Sequence, residues 1–104
     1  MIKIKTKNGD EYILEFDRDS ITYLEKLGFS LQLYSQQPMT MMPLLFKGAF
    51  FKNHKFVKQT VIDDLYDGMK NRNKLMNALV EMVGDSYQSL VADNNEGNAD
   101  WEMV

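Results

Sequence analysis

Apolar and polar residues alternate at the start of the chain. Ile2, Ile4 and Thr6 are separated by Lys3, Lys5 and Lys7, and after Asn8-Gly9 the residues Tyr12, Leu14 and Phe16 alternate with Ile13 and Glu15. A period of two marks strands that bury one face. Asn-Gly supplies the paired positive backbone angles of a type I′ turn, so residues 2–16 are predicted to form a β-hairpin. Its apolar face (Ile2, Ile4, Tyr12, Leu14 and Phe16) needs cover, because a lone hairpin is marginal in water.

Beyond residue 16 the period lengthens to that of helices. Asp17 or Asp19 can cap a helix carrying Ile21, Leu24 and Leu27, and Gly28 stands where a C-terminal cap belongs. Phe29 to Pro38 reads as a connection. Thr40 is predicted to cap a second helix, with Pro43 in its first turn and its end near Lys52. That segment is apolar almost all round (Met41, Met42, Leu44, Leu45, Phe46, Ala49, Phe50, Phe51), which suits either the centre of a bundle or a partner surface. Thr60, with Asp63 as capping-box partner, begins a third helix bearing Ile62, Leu65, Tyr66 and Met69. Asn71 or Asn73 caps a fourth with Leu75, Leu79, Met82 and Val83, which Gly84 ends. Asp85 can start a short fifth helix with Tyr87, Leu90 and Val91. The pattern as a whole is α+β: an N-terminal β-hairpin followed by a bundle of four to five short helices. Residues 1–92 form one globular domain, and 93–104 form an acidic, mobile tail.

Composition narrows the function classes. At 104 residues, with 44% hydrophobic and 26% charged residues, the chain has enough apolar content for one core. No apolar run approaches the ~20 residues of a membrane helix, and the alternating N-terminus does not read as a signal peptide. There is no cysteine, which removes disulfide and thiolate chemistry and makes cytoplasmic residence the default. The net charge of −3 speaks against a nucleic-acid surface. The acidity is concentrated late. Residues 1–52 hold seven Lys/Arg and six Asp/Glu, whereas residues 53–104 hold five and nine.

A search for catalytic, cofactor or metal constellations yields none. His54 is the single histidine and reads as a partly exposed helix-terminal residue. Asp63-Asp64-Leu65-Tyr66-Asp67 fits the DDxxD pattern by which terpenoid synthases hold magnesium and diphosphate, but the chain is too short to wall the cavity that chemistry needs. Three acidic residues near a helix N-terminus are read instead as a solvated face. No GxGxxG or phosphate loop is present. Gly48, between Phe46 and Phe50, is expected to allow close helix packing. Met39, Met41 and Met42 cluster at the apolar helix, where they either fill the core or line an adaptable surface. Trp101, alone in the acidic tail, either docks back on the domain or serves as a short motif for a partner. The candidate partner-binding residues are therefore Met41, Met42, Leu45, Phe46 and Trp101. The expectation is a protein-binding module that is not an enzyme.

The order of these features resembles the small tail assembly chaperones of long-tailed bacteriophages (siphophages and prophages) of Gram-positive hosts. The likeness rests on the lysine-rich hairpin and the Asp-led helix ending Leu27-Gly28-Phe29. It continues through Gln37-Pro38-Met39-Thr40, Pro43-Leu44-Leu45-Phe46-Lys47-Gly48-Ala49-Phe50 and the basic joint His54-Lys55-Phe56-Val57, and ends in the acidic segment Gly97-Asn98-Ala99-Asp100-Trp101. The resemblance implies a protein of the bacterial host's cytoplasm that coats the helix-rich tape measure protein and keeps it soluble until the tail tube polymerises. Such a chaperone is shed before the virion is complete. The resemblance also implies the tail-tube protein as a partner, and a longer form of the chain made by ribosomal slippage. It leaves homo-oligomerisation open. Composition adds that the acidic tail would discourage self-association. With no nucleotide motif, any chaperoning would be passive binding, a helix laid in an apolar groove.

The competing readings share the fold and differ in partner or chemistry. One is another structural or regulatory phage protein, such as a tail completion protein or an inhibitor of a host factor. Another is a small magnesium-dependent domain using Asp63, Asp64 and Asp67, which bound metal would stabilise against heat. A nucleic-acid binder is disfavoured by the acidic balance.

Overall fold

The structure is a computed structural model and describes residues 1–91 and 97–104. It contains an antiparallel hairpin of β1 (Ile2–Lys5) and β2 (Glu11–Leu14). The helices α1 (Arg18–Lys26), α2 (Leu31–Gln36), α3 (Pro38–Ala49), α4 (Gln59–Asp67) and α5 (Arg72–Val91) follow. The α+β architecture expected from the sequence is thus present. The expected domain boundary at residues 92–93 lies outside the described residues.

The hairpin pairs Ile2 with Leu14 and Ile4 with Tyr12, so the apolar side chains of both strands share one face, as the alternation requires. Its turn is not type I′. Gly9 has a φ of +89° while Asn8 keeps a negative φ, and the Gly9 N–H donates to the Thr6 carbonyl at 3.1 Å. Thr6 N–H then donates to Asp10 O at 2.9 Å, and Thr6 Oγ1 accepts the Asp10 N–H at 3.1 Å. The loop is therefore the three residues Lys7-Asn8-Gly9, a turn closed by a glycine bulge. The Thr6 hydroxyl favours it by binding a backbone group that a two-residue loop would place elsewhere.

α1 is capped at both ends. The Asp17 side chain accepts the Ser20 N–H at 2.8 Å, and Ser20 Oγ accepts the Asp17 N–H at 2.7 Å, a reciprocal capping box. At the other end Gly28 takes a φ of +92°. Its N–H bonds Glu25 O, and the Phe29 N–H reaches back to Leu24 O, each at 3.0 Å. This Schellman arrangement turns the chain so that Phe29 enters the core.

Several predicted boundaries are corrected. The 29–38 connection contains α2, whose Ser30 side chain caps Leu33 N–H at 3.0 Å. α3 starts at Pro38 instead of Thr40, which leaves Pro43 in the helix interior. Pro43 removes the bond to the Met39 carbonyl, which sits at the exposed end of the helix where water can replace it. The same helix ends at Ala49, short of Lys52, where a run of turns begins. α4 starts at Gln59, and the expected Thr60–Asp63 capping box is replaced by a bond from Gln59 Nε2 to Asp63 Oδ1 at 2.8 Å. Gly68 caps α4 and does not lie inside it. Gly84 does not end a helix: the two predicted C-terminal helices are one, α5. The apolar register through Met76, Leu79, Val83 and Tyr87 continues across Gly84, and packing outweighs the ~1 kcal/mol helix cost of glycine.

α3 is the axis of the domain, packed against α1, α2, α4 and α5. Phe46 and Phe50 lie ring to ring with centroids 5.0 Å apart, Tyr66 of α4 meets Phe46 at 5.4 Å, and Tyr12 of β2 meets Phe50 at 5.6 Å. The sheet face and the helices thus close on one aromatic cluster. Gly48 lies against Leu24 of α1, so close that a Cβ there would fall 2.6 Å from Leu24 Cγ.

Candidate partner-binding surface

The residues singled out from sequence divide sharply. Met41, Leu45 and Phe46 are buried in the core, Met42 is half-buried, and Trp101 is 80% exposed. Four neighbouring helices account for this. Of the two roles open to an apolar helix, α3 takes the central one, and its buried side chains are not available to a partner in the folded chain.

The accessible apolar surface lies elsewhere. Two shallow grooves of about 540 and 430 Å³ share Glu25 of α1 and Tyr87 of α5. The first is floored by Phe29 and Leu31. The second is floored by Ile21, Leu90 and Val91, and Val91 is 78% exposed. Ile21 and Phe29 lie buried beneath the grooves, whereas Leu90 and Val91 are exposed because α5 extends past Val83 with its apolar stripe intact; Tyr87, between them, is half-buried. Burial, and secondarily the Glu25 carboxylate, push the Tyr87 phenol above its ordinary pKa, so it remains a neutral hydrogen-bonding group on an apolar wall. A second exposed aromatic, Phe56, is 94% exposed on the connection between α3 and α4. The sequence reading placed Tyr87, Leu90 and Val91 on a short terminal helix and Phe56 in a basic joint. Nothing in their spacing distinguishes them from buried positions.

Of the residues considered for chemistry, His54 has a structural partner. His54 Nε2 accepts the Ile13 N–H at 2.8 Å, so its lone pair is occupied by the β2 backbone. Asn53 Nδ2 donates to the Ile13 carbonyl at 3.2 Å and to Glu15 Oε1 at 3.1 Å, Lys52 Nζ donates to Glu15 Oε2 at 3.0 Å, and Glu15 N–H donates to Ala49 O at 3.2 Å. The segment after α3 thus covers the outer edge of β2. Its Lys52 and Asn53 hold the Glu15 carboxyl below the usual carboxylate range. Asp63, Asp64 and Asp67 are exposed on α4, and no group of acidic and histidine side chains among the described residues is arranged to hold a metal ion. Among the described residues no helix is long and apolar enough to cross a membrane.

One protein family matches: its model, described as a domain of unknown function (DUF5055), covers residues 1–104. No curated protein and no solved structure matches the chain.

Proposed function

The chain belongs to the DUF5055 family, and we propose that it is a tail assembly chaperone of a long-tailed bacteriophage. In this reading it binds the tape measure protein in the host cytoplasm, keeps it soluble until the tail tube polymerises, and is absent from the finished particle. The observation that carries the reading is the pair of joined apolar grooves along α1 and α5, rimmed by Glu25 and floored by Phe29, Leu31, Leu90 and Val91. Such a surface is suited to the apolar face of an amphipathic helix, with affinity coming from burial and no chemical step. The layout resemblance over residues 37–57 and 97–101 supplies the identity of that helix. Trp101 and Met42, which retain accessible surface, are auxiliary contacts, while Met41, Leu45 and Phe46 hold α3 in place from within. The tail-tube protein and a longer frameshifted form of the chain are further partners on this reading.

The test is co-expression of the chain with the tape measure protein and the other tail genes, followed by affinity capture and analysis of purified particles. Capture of the tape measure protein in soluble form, with the chain missing from particles, supports the reading. Retention in particles would make it a structural tail protein. Capture of a host factor in place of the tape measure protein would make it a regulator.

A further inference from the structure

The hairpin has one covered edge and one free edge. Thr6 and Asp10 form a hydrogen-bonded pair, so Ile4–Tyr12 and Ile2–Leu14 do the same, and the backbone groups of Lys3 and Lys5 point away from β2. On β2 the corresponding outward groups of Ile13 and Glu15 are taken by His54, Asn53 and Ala49. Among the described residues nothing takes those of Lys3 and Lys5.

Beside that free edge, between β1 and α4, lies a groove of about 340 Å³. Ile4, Leu65 and Met69 give it an apolar floor. Lys5, Lys7 and Lys70 border it, together with one carboxylate, Asp64. Lys3 is paired with Glu11 at 3.6 Å, and Lys5 and Lys7 have no ion pair among the described residues. Two lysines on β1 and a third in the turn that follows repel a second β1, which disfavours pairing of like edges.

The C-terminal residues carry the opposite pattern. Ala99-Asp100-Trp101-Glu102-Met103-Val104 alternates with a period of two, placing Trp101 and Met103 on one face of an extended strand and Asp100 and Glu102 on the other. Residues 97–104 are exposed throughout, so a single chain does not seat its own tail in the groove.

We infer that the free edge of β1 accepts residues 99–104 of a second copy of this chain as an added strand. Asp100 and Glu102 lie against Lys3, Lys5 and Lys7, and Trp101 and Met103 cover the groove floored by Ile4, Leu65 and Met69. The Lys3 and Lys5 backbone groups gain partners, the lysines gain opposite charges, and the exposed tryptophan leaves water. The acidic tail, expected from composition to keep copies apart, thereby joins them. This association involves the chain alone and does not depend on the tape measure protein.

Sedimentation velocity on three purified proteins tests it: the wild type, a Lys3→Glu/Lys5→Glu variant and an Asp100→Lys/Glu102→Lys variant. All four positions are exposed, so the fold should survive, as circular dichroism would verify. The wild type should associate as concentration rises and dissociate with added salt. Each variant alone should bind itself about tenfold more weakly or worse, because its edge and tail then carry like charge. An equimolar mixture of the two variants should associate again, since each edge then meets a tail of opposite sign. A wild type that stays monomeric up to millimolar concentration overturns the inference, whether or not its Trp101 emission shows a buried ring. So do variants that associate like the wild type, or a mixture that does not recover.

Discussion

The imidazole of His54 occupies the place that a neighbouring strand would hold beside β2: its Nε2 accepts the Ile13 N–H at 2.8 Å, forty-one residues away in the chain. The bond requires a neutral ring protonated on Nδ1. His54→Ala should cost about 1–2 kcal/mol in urea denaturation at neutral pH, because it leaves the Ile13 N–H without its partner.

Glu15 makes the stability of the fold depend on acid pH. Its carboxyl is held below the ordinary range, first by the hydrogen bonds from Lys52 and Asn53. A folded-state pKa below the unfolded one stabilises at pH values above the unfolded carboxylate range, and the contribution disappears as pH falls through the folded value. Glu15→Gln should therefore flatten the acidic limb of the stability profile. Thermal melts from neutral pH to pH about 3 would check this.

Two glycines inside helices should respond in opposite directions to alanine. At Gly48 a methyl group would press on the fully buried Leu24 side chain, which has no room to yield. Gly48→Ala should destabilise by about 1–3 kcal/mol. At Gly84 a Cβ meets nothing within 4 Å, and the residue stands inside α5. Gly84→Ala should stabilise by about 0.5–1 kcal/mol through helix propensity alone. Chemical denaturation of both variants reads the contrast directly.

The α1–α5 grooves can be tested without disturbing the core. Leu90 and Val91 are accessible at the end of α5, so Leu90→Ser/Val91→Ser should change stability by no more than about 0.5 kcal/mol per site. On the proposed function the same variant should leave co-expressed tape measure protein largely in the insoluble fraction. Normal solubilisation by the double variant would remove these grooves as the binding site.

The strands and the main helices could be read from the chain because their signals are local. The alternation from Ile2 to Phe16, the Asp17 cap and the Leu27-Gly28 ending each act within a few residues. What escaped depends on tertiary packing. Gly84 ends a helix by propensity, yet the stripe from Met76 to Tyr87 carries α5 straight through it. The methionine-rich segment was read as a candidate surface, but four surrounding helices bury Met41, Leu45 and Phe46. The role of His54 could not be read because its partner is a backbone amide forty-one residues earlier, which no spacing rule connects to it.

The covered edge of β2 also fixes an order of events in the cell. Residues 1–16 leave the ribosome before Asn53 and His54 emerge from it, and at about 5–20 residues per second the strand segments wait several seconds with both edges open. During that interval its protection falls to charge: Lys3, Lys5 and Lys7 make the nascent strands poor templates for one another. Replacing these lysines with apolar residues would therefore be felt first as aggregation during synthesis, even where the finished domain tolerated the change.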